Sequence, residues 1–374
     1  MSPNLLTDQP NYEAFRRIEV EPAPEAEIVK GMRIERVQVS DGFEAENPEL
    51  RAEIQATLEY WDVELQRHPE WQAPRQDPET KMPIVDPANK ASMWHYSTES
   101  QRQWGSLMPT ALALHPLQRP ESAVMPNGAH IDDRARELFK HSIDAIGIRS
   151  RAAIMTDIAL EIAKKQETND MKWVSIACGA AVPVLSAIER IKAEQPEKAP
   201  KLELIDLDPQ ALAFAKTLAE EQGLEAGRDF TTRRSNIIKD MLVRDTLIDE
   251  LGEQTAQMVD GLGIFEYFRD DVAVSMLQKM HRLVAPGGSL VIGNMLEDRP
   301  QLEFNRRAVG WPKIYPRALE DLSDLVQQAG IPIENVTTYI PEDGVYAVVS
   351  IEKPQPRASR VTTELGARAV EQEV

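Results

Sequence analysis

The sequence predicts a doubly wound α/β fold, and three observations lead to it. From Ile131 onward, short apolar runs alternate with segments of helical periodicity. Five runs are each followed by a helical stretch long enough to cross over a sheet face, which makes those strands mainly parallel, with helices on both sides. The last two runs flank the turn Pro341-Glu342-Asp343-Gly344 and read as an antiparallel hairpin. The expected core is therefore a seven-stranded, mainly parallel sheet closed by a C-terminal hairpin, with an N-terminal extension.

Each element has its own signal. Residues 131–148 and 149–166 carry apolar residues at helical spacing, and Asp132 and Asp133 suit a helix N-terminus. MKWVSIAC (171–178) is a strand and AAVPVLSAIERIKAEQ (180–195) a helix. KLELIDLD (201–208) is the second strand. The helix after it opens at Pro209 and closes at Gly223. RDFTTRRSN (228–236) holds a strand and VRDTLIDELGEQ (243–254) a helix. AQMVDGLGIF (256–265) and RDDVAVSMLQKMHRLVA (269–285) repeat the unit. Pro286-Gly287-Gly288 turns into SLVIGNM (289–295), RALEDLSDLVQQAG (317–330) is the last helix, and NVTTYI and GVYAVVSIEK close the sheet.

Residues 1–130 differ in texture. They are proline-rich and hold Trp61, Trp71, Trp94 and Trp104, with a clear helix only over Pro48–Arg67. They are read as an extension that covers the second region and forms part of the substrate site. Residues 131–353 form the main domain, and the tail 354–374 lacks apolar periodicity.

Composition narrows the function. The 374 residues carry 42 Lys+Arg against 61 Asp+Glu, a net charge of −19 and a pI near 4.9. Such acidity argues against binding nucleic acid. The single cysteine, Cys178, excludes an internal disulfide framework and a cysteine-rich zinc site. No run of 18 apolar residues predicts a membrane span. MSPNLLTDQPNYEAF lacks a basic start and an apolar core, so a cytoplasmic location is expected.

In a doubly wound sheet, ligands sit beyond the carboxyl ends of the strands. The first strand ends in Ser175-Ile176-Ala177-Cys178-Gly179-Ala180-Ala181, small residues that admit a ligand to the backbone or simply allow close helix packing. The second ends in Asp206-Leu207-Asp208-Pro209. A carboxylate there can accept both hydroxyls of a ribose, and Asp208 can cap the helix. The loop keeps one glycine of the three a pyrophosphate requires, which points to a nucleoside without phosphates.

These residues, with Asp260-Gly261-Leu262-Gly263-Ile264-Phe265 and VAPGGSLVI, resemble a class I S-adenosylmethionine (SAM) dependent methyltransferase over residues 131–353. VSIACGAA, LIDLDPQAL, GIFEYF, PGGSLVIGNM and Trp311 with Tyr315-Pro316-Arg317 are similar to the 3-hydroxypalmitic acid methyl ester biosynthesis branch. The family's usual loop begins with an acid and has three glycines, whereas Ser175, Ala177 and Ala181 stand here.

The resemblance implies a Rossmann-like methyltransferase fold with SAM as cofactor. Ala177, Cys178 and Gly179 would pass under its methionine and ribose parts. Asp206 would hold the ribose and Leu207 would flank adenine. Ser235, Asn236 and Ile237 would meet the adenine edge, and Gly263, Phe265 and Glu266 would lie by the sulfonium. Arg149 or Arg151 would pair the SAM carboxylate. Glu266 and Tyr267 would orient the acceptor or serve as base. Asn294, Met295, Trp311, Tyr315 and Arg317 would shape the acceptor pocket, with Arg306, Arg307 and Arg317 available to a carboxylate. The acceptor is expected to be a small or lipid-like molecule, with carboxyl O-methylation as one option. An aminopropyl or alkyl transferase on the same fold, or a silent SAM-binding scaffold, are the alternatives. No metal is expected.

Overall fold

A computed structural model of the chain describes residues 15–18, 27–43, 46–108, 110–311 and 313–355, the first four by backbone alone. Nearly all of the N-terminal stretch read for a leader, and most of the tail from Pro354, lie outside them.

The N-terminal region contributes more regular structure than its sequence texture suggests. Strands β1 (Phe15–Ile18), β2 (Glu27–Val29) and β3 (Met32–Asp41) precede α1 (Pro48–Arg67), whose N-cap Asn47 accepts from Leu50 N–H. A two-residue hairpin, β4 (Arg75–Gln76) and β5 (Pro83–Ile84), leads to α2 (Lys90–His95), α3 (Glu99–Leu107) and α4 (His115–Gln118). Next come α5 (Asp133–His141) and α6 (Ile143–Lys165). Asp132 caps α5, and the break between the helices falls at the extended Ser142 rather than near Ile148 as the sequence spacing suggested.

The alternating units follow in the expected order: β6 (Asp170–Ile176), α7 (Val182–Glu194), β7 (Ala199–Asp206), α8 (Pro209–Glu221), β8 (Phe230–Arg234), α9 (Thr246–Leu251), β9 (Ala256–Gly261), α10 (Asp270–Leu283), β10 (Val284–Met295), α11 (Leu319–Gln328), β11 (Val336–Pro341) and β12 (Tyr346–Glu352). The strand order is β8-β7-β6-β9-β10-β12-β11-β3-β1. Pairs from β8 to β10 are parallel, and β12 runs antiparallel between β10 and β11.

The expected seven strands are contiguous, but the sheet has ten. The correction comes from the N-terminal region. The free edge of β11 accepts β3 in parallel, and β3 in turn pairs with β1 and β2. An exposed edge of unpaired backbone groups is open to such an addition.

Alternation along the strands sends successive side chains to opposite faces. Trp173, Leu204 and Met258 enter one core cluster with α6, α7, α8 and the N-terminal helices. Val174, Ile205 and Val259 enter the other with α9, α10 and α11. Strand β3 divides its burial. Met32 and Ile34 enter the α11 side, whereas Val37 and Val39 enter the α6 side.

A buried ion network fastens β3 to α6 and α1. Arg149, 2% exposed, donates to Asp41 Oδ2 at 2.7 Å and to the carbonyls of Leu117, Phe139 and Lys140. Arg51 donates to both Asp41 oxygens at 2.9 Å. The two guanidinium groups hold the Asp41 carboxyl below its usual value despite the opposing effect of burial.

Candidate functional site

A pocket of about 410 Å³ opens beyond the carboxyl ends of β6, β7 and β9. Its floor is the turn from β6 to α7. Ala177, Gly179 and Ala181 all have left-handed backbone, with φ of 53°, 57° and 56°. For alanine that conformation costs roughly 1–2 kcal/mol, and strain of this kind gathers at functional turns. A Cβ on Gly179 would lie 2.6 Å from the Ala111 side chain, so the N-terminal region presses directly on this turn.

Asp206 ends β7 and binds the turn. Its Oδ2 accepts from Gly179 N–H at 2.8 Å and its Oδ1 from Asp208 N–H at 2.9 Å. A carboxylate has about four lone-pair positions, so about two remain for a ligand. Burial raises the Asp206 carboxyl against the effect of these bonds. Asp208 accepts from Gln210 N–H at 2.8 Å and caps α8. Leu207 is 55% exposed at the pocket rim, and Ser235, Asn236 and Ile237 stand nearby in the wall. The Ser235 hydroxyl and the Asn236 N–H are both anchored to Asp240 Oδ2.

Asp260 is a pocket residue to which sequence reasoning assigned no role. It is the penultimate residue of β9, directly opposite Ser175 in the parallel register, and is 3% exposed. Trp173 Nε1 donates to it at 2.7 Å and Ser175 Oγ at 3.0 Å. Burial pushes its carboxyl up to about 7, against the pull of these two bonds. The first strand has Ser175 where the methyltransferases it resembles carry an acid, and its neighbour carries an acid at the same height. The signal was an aspartate at a strand end, legible only once β6 and β9 are known to be adjacent.

The far wall holds Gly263, Arg151 and Tyr267. The Arg151 guanidinium lies 3.4 Å from Glu266 Oε1 and 4.2 Å from the centre of the Tyr346 ring. Glu266 is not in the pocket lining. It stands behind Arg151, its carboxyl raised by burial and its Oε2 without a hydrogen-bond partner. Burial likewise raises the Tyr267 phenol, whose oxygen accepts from Trp311 Nε1 at 2.9 Å. Cys178 lines the pocket, but burial and then the charges of Asp206 and Asp260 push its thiol well up, which disfavours a thiolate.

Several expected residues lie elsewhere. Arg149 belongs to the Asp41 network, away from the pocket. Phe265 is buried in the core cluster shared with α10 and does not line the pocket. Arg317 is 2% exposed and engaged by Asp270, the Phe265 and Phe268 carbonyls and Asn294 Oδ1. Asn294 is fully buried, and its amide also donates to Met295 O. Arg307 donates to the carbonyls of Leu65, His68 and Trp71, and Arg306 lies by Glu303. Tyr315 is tied by its N–H to Glu266 O at 2.6 Å and borders neither cavity. Trp311 lines the pocket, and Met295 lines a second cavity beyond it. Thr110, Ala111, Leu114 and Gln118 complete the pocket from the N-terminal region.

A nucleotide-sized pocket at the strand ends, where the connections reverse direction across β6, decides the fold class. The fold is Rossmann-like. Several solved structures are similar to it in shape. One similar structure is a possible exported protein from Bordetella parapertussis, with a TM-score of 0.53 and 16% identity, covering 84% of this chain and 99% of that one. Another is an O-methyltransferase family protein from Burkholderia thailandensis, with a TM-score of 0.41 and 14% identity over 78% and 83% of the two chains. A third is magnesium protoporphyrin IX methyltransferase from Synechocystis PCC 6803 with bound SAM, with a TM-score of 0.39 and 11% identity over 56% and 83%. No protein-family model and no curated protein matches the sequence. Among the described residues, no helix is long and apolar enough to cross a membrane and no cluster of side chains is arranged to hold a metal ion.

Proposed function

We propose that the chain is a cytoplasmic SAM-dependent methyltransferase acting on a small or lipid-like molecule. The observation that carries this reading is the pairing of Asp206 and Asp260 across one 410 Å³ pocket floored by a small-residue turn. Asp206 has acceptor positions left for two ribose hydroxyls. Asp260 matches the ammonium group of the methionine part, and Arg151 matches its carboxylate. Leu207 and Ile237 offer apolar surface to adenine. The arginine on the wall favours SAM over its decarboxylated form, and so a methyltransferase over an aminopropyl transferase.

The bound sulfonium supplies an activated methyl group for in-line displacement. The chain has to align the acceptor and exclude water, effects worth several kcal/mol in such reactions. Tyr267 touches the pocket and is the group placed to contact the acceptor. Glu266 acts through Arg151 as a positioning residue. Residues 1–130 serve as a cover for the site, a role supported by Thr110, Ala111, Leu114 and Gln118 in the pocket wall.

Calorimetry with SAM and with its demethylated product, S-adenosylhomocysteine, tests the reading. Both are expected to bind and to raise the melting temperature, by about 2.7 kcal/mol of stabilisation at a hundredfold excess over Kd. Absence of any shift at millimolar ligand sinks it.

A further inference from the structure

The second cavity lies next to the cofactor pocket and belongs to no element of the reading above. Asp144, Ile148 and Arg151 are spaced i, i+4, i+7 on α6 and share one helix face. The first two line the second cavity and the third lines the cofactor pocket. At 1.5 Å per residue, that face spans about 10 Å. The partition between the two spaces is made of side chains. Trp311 lines both, hydrogen-bonded to Tyr267, and Tyr346 of the second cavity lies against Arg151 of the first.

The cavity walls are apolar, built from Leu58, Trp104, Leu117, Leu138, Phe139 and Phe304. Two buried polar atoms on its lining residues have no partner. His95 is 7% exposed with Nε2 unbonded, and Asn305 is 3% exposed with Oδ1 unbonded. Unpaired polar atoms are rare in native interiors and call for an explanation. His95 is neutral at neutral pH, because burial takes its pKa down to about 3. The one acid in the lining, Asp144, is paired with Arg299. No lining residue among those described is a cation. Arg306, Arg307 and Arg317 are engaged elsewhere, and Arg299 behind the wall is already paired with Asp144, so a carboxylate entering here would be desolvated with no cation in the lining to face it.

We propose that this cavity is the acceptor site, and that it takes a neutral aromatic molecule with one polar group held by His95 Nε2 and Asn305 Oδ1 and a reacting hydroxyl turned toward Tyr267. The proposal rests on the cofactor reading above. The enclosed space is about 40 Å³, enough for a few waters, so a ring enters as Trp311 turns aside and joins the cavity to the larger pocket. Trp311 follows Gly310, which has φ of 76°, and its indole N–H has one side-chain partner, Tyr267. In the transfer, the hydroxyl oxygen bonds to the methyl carbon as the carbon–sulfur bond breaks. The bonding pair stays on sulfur and the hydroxyl proton leaves to water at the pocket mouth.

The test uses the full chain saturated with S-adenosylhomocysteine and two probes of the same shape, 4-hydroxybenzamide and 4-hydroxybenzoate. Calorimetry is expected to show the amide binding and the carboxylate at least about tenfold weaker. Ile148→Phe, which places a ring in the cavity, is expected to weaken the amide by about tenfold or more and leave affinity for S-adenosylhomocysteine within about twofold. Leu138→Phe replaces it should that variant fail to fold. Equal or tighter binding of the carboxylate overturns the proposal. So does no amide binding at millimolar concentration, or full amide affinity in the filled variant. Failure of S-adenosylhomocysteine to bind removes the cofactor reading instead, and is scored separately.

Discussion

The pocket at the strand ends takes most of its walls from short turns, each directly following a strand: 177–181 after β6, Leu207 after β7, 235–238 after β8 and 262–264 after β9. The cavity beyond Trp311 takes its walls from side chains scattered between Leu58 and Tyr346, on α1 to α6, the ends of β10 and β12 and the 304–311 segment. In the first, backbone geometry and two acids do the positioning. In the second, aromatic packing does, and the N-terminal region is tied down by long-range bonds. Tyr96 donates to Val309 O at 2.6 Å, Ser92 to Ala308 O at 2.8 Å and Asn89 to Arg307 O at 2.9 Å. A site built from local turns can be read from short motifs, whereas a site built from distant side chains cannot.

The largest effect is expected where the N-terminal region that walls the cavity is fastened to the rest of the fold. Arg149→Ala is expected to destabilise the fold by about 3–5 kcal/mol, because the fully buried Asp41 loses one of its two cations. Urea unfolding measures this. A loss below about 1 kcal/mol would mean that the N-terminal strand is not fastened to α6 through this pair.

The cofactor side is sharpened by Asp206→Ala. It is expected to weaken SAM by about 1.5–3 kcal/mol, the scale of hydrogen bonds to a charged group. Affinity for the neutral phenolic probe in the cavity is expected to change little, since Asp206 does not border it.

Asp260 predicts a pH dependence. Its free carboxyl titrates near 7, and only the ionised form pairs with an ammonium group. SAM affinity is therefore expected to rise by up to about tenfold from pH 6 to pH 8. The slope should vanish in Asp260→Asn and be absent for 5′-methylthioadenosine, which has no amino group. A slope that survives in the variant assigns the titration to another residue.

The smallest effect is expected one turn away. Asp208→Ala should cost about 1 kcal/mol of stability through loss of the α8 cap, with SAM affinity unchanged. Cofactor loss in this variant, with normal affinity in Asp206→Ala, would reverse the roles of the two aspartates.

Much of the C-terminal fold was legible because its signals are local. Apolar runs of strand length, Pro209 opening α8 and the turn at Pro341–Gly344 each act within a few residues. Strand β3 escaped for a physical reason. Its buried side changes midway, even positions at Met32 and Ile34 and odd ones at Val37 and Val39, so no single alternation runs through it. The choice between two candidate arginines was open for a reason of the same kind, and the one that lines the pocket is Arg151. Arg149 and Arg151 are two residues apart on one helix, and at 3.6 residues per turn they face nearly opposite directions. Both are basic and both precede the first strand, and the helix rotation decides which one meets the pocket.

By itself the sequence determined the order of strands and helices, the small-residue turn after β6, and the carboxylate at the end of β7, since each follows from near-neighbour chemistry along the chain. The tertiary structure alone decided that Asp260 stands opposite Ser175, that β3 extends the sheet, and that Arg317 and Arg307 are consumed by backbone carbonyls. It also decided that His95 and Asn305 share a cavity. These are matters of strand adjacency and of competition for buried partners, and both depend on which distant segments the folded core brings within hydrogen-bond range.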